Sequence, residues 1–401
     1  MEQLAWPQLV ALAIPSLILF NVLVFLVANL AVFRRPAPER AGPPPSRLPR
    51  LSVLVPARNE ERTIGECLGS LASQDYPDFE VVLLDDGSTD RTAEIARGLG
   101  FGASGRLRII AGGELPDGWT GKGWACHQLA RAAGGDWLLF TDADTRHQPG
   151  GLRAVVSFAL ARRADLCSAW PRQVTIGFAE KLVIPLVYLL ILGFLPQAAL
   201  VALQRAPRLA ARLPSGWLRA LGAANGQFML FRREAYQRLG GHQAVKSHLV
   251  EDVALGRAVA ARTGEGMRLV NCDGGAAVSC RMYRSASELW EGFTKNLRQA
   301  FEGSPGAFVF SLAVQFCGFI LPYLLVWLGG WWTLAGLAQI GCVILIRGIL
   351  ALRFGSSWLS VLLHPVGHGY ALLIALDGWR RWAGGQVRWK DRDYSRGSLG
   401  E

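Results

Sequence analysis

Two apolar runs in this 401-residue chain each end in a cluster of acids, EVVLLDDGSTD at 80–90 and DWLLFTDADTR at 136–146. Val, Leu and Phe without polar interruption predict strands buried on both faces, as in a parallel sheet covered by helices. Ligands of such sheets lie beyond the carboxyl ends of the strands, so Asp85, Asp86, Asp142 and Asp144 are predicted to share one rim. Carboxylates so crowded stay ionised only if positive charge joins them. A divalent cation carrying a phosphorylated ligand meets that need.

The surrounding chain supports the same architecture. Between Arg50 and Gly303, short apolar runs alternate with helical patterns, the mark of βαβ units. LSVLVPARNE (51–60) predicts a strand and loop, then a helix over 63–73 with Leu68 and Leu71 against the sheet. A second helix is predicted over 89–99, a strand in RLRIIAG, and a third helix over 121–133.

Apolar blocks flank this region. From Pro7 to Phe33 there is no charged residue, and Arg34 and Arg35 follow at once. About 20 apolar residues cross a bilayer, so 7–33 is read as a retained anchor, not a cleaved signal peptide. The arginines after it place the next domain in the cytoplasm. Residues 34–49, rich in Pro and Arg, form a stiff linker before the catalytic domain at 50–303. A C-terminal membrane region of two or three helices is assigned to 307–377 and a basic tail to 378–401. Phe308–Gly329 and Trp331–Ile346 are predicted as a helical pair around a Gly329-Gly330 turn. Trp358–Leu376 carries His364, Pro365 and His368 and is predicted as re-entrant or interfacial, which keeps the arginine-rich tail cytoplasmic.

Residues 182–221 are read as a membrane-interfacial segment, not a crossing. Pro185 and Pro196 interrupt its apolar half, and Arg205, Arg208, Arg212 and Arg219 alternate with Leu209, Leu213, Trp217 and Leu218 in the rest. A buried helix followed by a solvated loop is the plainer alternative. The net charge of +11 gathers beside apolar segments, which fits anionic lipid and excludes nucleic acid as a partner. The seven cysteines show no CxxC spacing and are expected to be reduced and metal-free.

Several polar residues carry candidate chemistry. Asp86, at a strand end before a glycine turn, can accept hydrogen bonds from a base imide or ribose, whereas Ser88 or Asp90 suits a helix cap. Asp142 and Asp144 alternate along extended backbone and point to one side, a pattern suited to Mg²⁺ or Mn²⁺. Lys122 opens a predicted helix, where backbone amides and an ammonium favour phosphate. Glu251 and Asp252 begin another helix; acids are welcome there without any function, but beside a metal-phosphate site they supply a general base.

In order, VPARNE, DDGSTD, GKGWA, DAD, NGQFMLFRREAY (225–236) and VED resemble the membrane-bound family 2 glycosyltransferases over most of residues 50–300. GWTGKGWAC, GGHQAVKSHLVEDVAL and VRWKDRDY (387–394) resemble the bacterial enzymes that glycosylate carotenoids and hopanoid-type lipids. The resemblance implies an α/β nucleotide-diphospho-sugar transferase fold (GT-A, Rossmann-like) flanked by transmembrane helices. It implies donor binding by Pro56, Arg58, Glu60, Asp86, Lys122, Asp142 and Arg298, with metal at Asp144 and Asp142. Asn225, Gly226 and Gln227 would border the acceptor, and Asp252 would act as base with Glu251 in support. The QxxRW motif of processive relatives is replaced here by Lys295-Asn296-Leu297-Arg298-Gln299. Arg298 is kept, whereas the Gln and Trp are not.

The expected protein is thus a multi-pass inner-membrane enzyme with a cytoplasmic catalytic domain. It would transfer a sugar, glucose first among candidates, from a UDP-sugar to a membrane lipid with inversion. A polysaccharide synthase of the same superfamily and a non-catalytic sugar-nucleotide-binding membrane protein are the alternatives.

Overall fold

The computed structural model describes residues 6–36, 48–99, 101, 105–299, 304–383, 387–389 and 392–394. The Pro/Arg linker thus falls largely, and the basic tail by half, outside the described residues. The chain divides into two units. One gathers the described residues of 1–31, 175–198 and 283–384, the other those of 32–174, 199–282 and 385–401.

The second unit is built on seven strands: β1 (Leu51–Ala57), β2 (Phe79–Asp85), β3 (Leu107–Ala111), β4 (Trp137–Phe140), then β6 (Leu166–Trp170), β8 (Met229–Arg232) and β9 (Leu269–Asp273). Their order is β3-β2-β1-β4-β8-β6-β9. Alternate side chains along β1 and β2 enter opposite cores. Val53, Val55, Val81 and Leu83 pack with the helix Ile64–Ala72, and Leu54, Val82 and Leu84 with the helix Gly121–Ala132. Burial on both faces explains the uninterrupted apolar runs.

The strand order steps outward from β1 to β3 and then returns to β4. The β1–β4 boundary is therefore a switch point, where a crevice opens beyond the strand ends. The sheet is mixed, not parallel throughout, since β8 runs antiparallel to both β4 and β6. A smaller sheet joins β5 (Thr145–His147), β10 (Val278–Cys280) and β7 (Arg172–Gln173) just past the DAD segment.

Two helix starts carry local explanations. The helix predicted from residue 89 begins at Thr92, because the Asp90 carboxylate accepts the Thr92 amide at 2.9 Å. Thr120 accepts the Gly123 amide at 3.2 Å and caps the helix that carries Lys122. All seven cysteines are free thiols.

In the first unit, Leu12–Val32 and Gly330–Phe354 are long and apolar enough to cross a membrane. Phe178–Phe194 with Gln197–Arg205, and Pro305–Phe319 with Leu321–Leu328, meet that test only as bent pairs. The helix predicted over 308–329 is thus interrupted near Pro322, which lacks an amide hydrogen and forces the 44° bend. Gly329 and Gly330 turn with φ of 79° and 56°, and the following helix runs to Phe354. Residues 358–376 fall in two helices, Leu359–Leu362 and His364–Ala383.

Within the helix Trp6–Val32, buried Asn29 donates to the carbonyls of Leu192 at 2.8 Å and Leu195 at 2.7 Å, and accepts the Ala198 amide at 2.9 Å. One amide thereby satisfies backbone groups at the end of the Leu186–Phe194 helix. Gln339 similarly donates to Ser16 Oγ at 3.1 Å, joining the two candidate spans.

Candidate active site

The loops after β1 and β2 are laced together. Arg58 Nη1 donates to the Asp86 carbonyl at 2.6 Å, the Asn59 amide to Ser88 Oγ at 3.1 Å, and the Thr89 amide to Asn59 Oδ1 at 2.9 Å. Asn59 takes a left-handed φ of 53°, and Glu60 donates its amide to Thr92 Oγ1 at 2.7 Å. Pro56 lies within β1 opposite Leu84 of β2. Asp85 is occupied by its own turn, accepting the Ser88 amide at 3.1 Å. Asp86, next along, is buried, and its amide donates to the Ala57 carbonyl at 2.8 Å.

Lys122 stands at the centre of the remaining acids. Its Nζ lies 2.7 Å from Asp142 Oδ1, just beyond β4, and 3.0 Å from Glu251 Oε1, on the first turn of the helix Glu251–Ala261. Burial lowers the proton affinity of this ammonium, but Asp142, Glu251 and Asp252 outweigh it and hold the pKa well above the usual lysine value. Asp252 Oδ2 accepts the Gly226 amide at 2.6 Å and Oδ1 accepts the Val253 amide at 2.8 Å. Burial and neighbouring Glu251 nonetheless push its pKa up to about 6.

Gly226 leaves little room for a side chain between the two charged groups. A Cβ there would stand 3.1 Å from Asp252 Oδ2 and 3.2 Å from Lys122 Nζ. Asn225 is held on Ser168, whose Oγ accepts its amide at 2.8 Å. Gln227 is buried, donating to Cys280 Sγ at 3.0 Å and accepting from Gln173 Nε2 at 2.9 Å. The Arg298 side chain lies outside the described residues.

Asp144 faces a different environment. Burial and then Asp142 raise its pKa to about 7, and its buried Oδ1 has no hydrogen-bond partner among the described residues. Among the described residues, no group of three His, Cys, Asp or Glu side chains is arranged to hold a metal. Asp142 and Asp144 nevertheless suit Mg²⁺ or Mn²⁺, which takes few protein oxygens and fills the rest of its shell with water and substrate phosphates. The unpartnered Asp144 Oδ1 is the atom that such an ion would satisfy.

A 3₁₀ turn at Gly241–Val245 supports both charged helices. The Tyr236 hydroxyl lies 2.7 Å from His242 Nδ1 and accepts the His242 amide at 3.1 Å. Gly241, with φ of 54°, lets the chain pass where a Cβ would come within 2.5 Å of the Tyr236 ring. The turn ends at Lys246, whose carbonyl accepts the Thr120 amide at 2.9 Å, one step before the Lys122 helix. The turn lies in GGHQAVKSHLVEDVAL, a segment that carries the family resemblance, but its contacts are made with residues elsewhere in the chain.

Comparison with known proteins follows the same lines. Residues 52–240 match Glycosyl transferase family 2, and residues 195–393 match Glycosyl transferase family 21. The chain is 28% identical over 355 residues to the 4,4'-diaponeurosporenoate glycosyltransferase of Staphylococcus aureus strain MRSA252, covering 86% of this chain and 88% of that protein. The counterpart in strain USA300 matches with the same identity and coverage. Among solved structures, a mannosyltransferase of Pyrobaculum calidifontis in complex with GDP-Man and Mn²⁺ superposes with a TM-score of 0.52 at 19% identity, covering 92% of this chain and 97% of that one. That likeness establishes the GT-A fold. The chain is a glycosyltransferase: residues 52–240 carry a family 2 glycosyltransferase domain, and the chain is similar to carotenoid glycosyltransferases.

Proposed function

We propose that the protein transfers a single hexose from a UDP-sugar to the hydroxyl or carboxyl of a membrane lipid of carotenoid or hopanoid type, inverting the anomeric centre. The observation that carries this reading is the convergence of Lys122, Asp142, Glu251 and Asp252 around Gly226, just beyond the end of β4.

In this reading Pro56, Arg58, Glu60 and Asp86 form the nucleoside wall, with Asp86 accepting from the uracil or ribose. Lys122 and Arg298 bind the diphosphate, and Asp142 borders the donor. A divalent ion held by Asp144 and Asp142 would supply charge neutralisation for the departing nucleoside diphosphate. Lys122, kept protonated by its acids, contributes the same stabilisation from the protein side. Asp252, with a pKa near 6, is ionised at neutral pH and takes the proton of an acceptor hydroxyl as its oxygen attacks. Glu251 keeps Lys122 aligned, while Asn225 and Gln227 set the wall on which the acceptor rests.

The lipid acceptor is supported by the likeness to the diaponeurosporenoate glycosyltransferases of Staphylococcus aureus and by the apolar helices. It is also supported by the exposed Leu209 and Trp217, which stand among Arg205, Arg208 and Arg212 with no acid between 204 and 221. The same features support a multi-pass inner-membrane protein with its catalytic unit in the cytoplasm. Membranes containing the protein, given labelled UDP-glucose with Mg²⁺ or Mn²⁺, are expected to place label in the lipid extract. Label confined to a high-molecular-weight polymer would instead identify a polysaccharide synthase, and no transfer of any sugar would leave a binding protein.

A further inference from the structure

The unit that carries the candidate spans buries charge that the proposed reaction does not use. Arg347, on the span Gly330–Phe354, is 1% exposed. Its Nη1 donates to the Pro185 carbonyl at 3.0 Å and its Nη2 to Ser360 Oγ at 3.1 Å. Its Nε has no partner, and no carboxylate pairs with it among the described residues. His364 and His368, also buried, have ring centroids 5.1 Å apart and lie within electrostatic reach of Arg347. All four of their ring nitrogens lack a hydrogen-bond partner among the described residues. The Phe319 ring covers both imidazoles, at 5.5 and 4.9 Å.

These groups select a ligand by their chemistry. A guanidinium stays charged, and even a neutral imidazole offers one N–H donor. Three side chains therefore bring unused donors to one buried place that already holds a positive charge. A metal ion would be repelled by Arg347, whereas a carboxylate or phosphate would supply both the counter-charge and the acceptors. Isolated charge within a membrane segment is costly, which is why such residues mark sites. Arg347 lies seven residues before Phe354, about 10 Å along the helix from that end, within reach of a headgroup drawn inward. Nearby Leu345, Leu352 and Leu362 are exposed, as befits contact with acyl chains.

We propose that Arg347, His364 and His368 form an intramembrane oxyanion site that holds the carboxylate or phosphate head of an amphiphile. This inference rests on the span reading alone and is independent of the sugar-transfer chemistry. The test uses the full-length chain, purified in detergent and offered oleate, phosphatidylglycerol or phosphatidylcholine, with retained lipid counted by native mass spectrometry. Inorganic phosphate is titrated as a separate arm. One anionic amphiphile per chain is expected, retained at least tenfold better than phosphatidylcholine and not displaced by inorganic phosphate at equal concentration. Arg347→Met should lose at least tenfold in retention, His368→Gln a smaller fraction, and Arg347→Lys least. Equal retention of phosphatidylcholine, displacement by inorganic phosphate, or unchanged retention by folded Arg347→Met would each overturn the proposal. Should Arg347→Met not fold, the wild-type preference and His368→Gln decide it.

Discussion

Asp252 and Lys122 make their demands through single atoms. Asp252→Asn keeps an oxygen for the Gly226 amide but removes the basic lone pair. With a hydroxyl acceptor its kcat is expected to fall by about 10²–10⁴ with donor KM little changed, read from initial rates in membranes. A base whose pKa is raised to about 6 is lost by protonation, so the wild-type rate should fall as pH drops below about 6 and level off above it. A carboxylate acceptor has no proton to give at these pH values, so its transfer should show neither effect. Gly226→Ala places a methyl against both charged groups, and a fall in kcat/KM of about 10² is expected from that displacement. Lys122 also has a resting partner set. In the proposed role, a diphosphate reaching it would have to loosen the contacts to Asp142 and Glu251, so donor binding would be an exchange of ion pairs, not the simple addition of one.

Elements differ in how openly they declared themselves. β2, β4 and the DAD segment were legible because their signals are local, an apolar run followed by acids. The helix starts at Lys122 and Glu251 were legible for the same reason. The extended alternation expected of Asp142 and Asp144 is instead a turn, closed by the Thr145 amide on the Asp142 carbonyl at 3.2 Å, because the chain must reverse there to enter β5. The direction of β8 was not, because it depends on which strands flank it after a long excursion, and MLFR is compatible with either direction. The Gly241–Val245 turn was also hidden, since its function lies in contacts made by a carbonyl and a tyrosine hydroxyl from elsewhere in the chain. Tyr236→Phe leaves His242 Nδ1 without its partner in a buried place. A loss of about 1–3 kcal/mol is expected for an unsatisfied buried group, measured as a lowered Tm of the full-length chain in detergent.

At the scale of the whole molecule, sidedness is directly testable. Cys67, Cys126, Cys167, Cys272 and Cys280 are all buried, so an exposed reporter in their unit stands above background. Glu94→Cys, at an exposed position of the helix Thr92–Gly98, is expected to react with an impermeant maleimide only after cells are lysed; labelling of intact cells would place the sheet-bearing unit outside. The chain's path carries one more consequence. It leaves the sheet-bearing unit after Val174, spends 175–198 in the helical unit, and returns to lay down β8 between strands made before the detour. The central sheet therefore cannot be completed until the ribosome has delivered an apolar helical segment that belongs to the other unit. A fragment limited to 50–303 would emerge with that segment orphaned, and its manufacture should end in inclusion bodies, not a soluble enzyme. Completion of the sheet is thereby tied to delivery of that helical segment as an order of events.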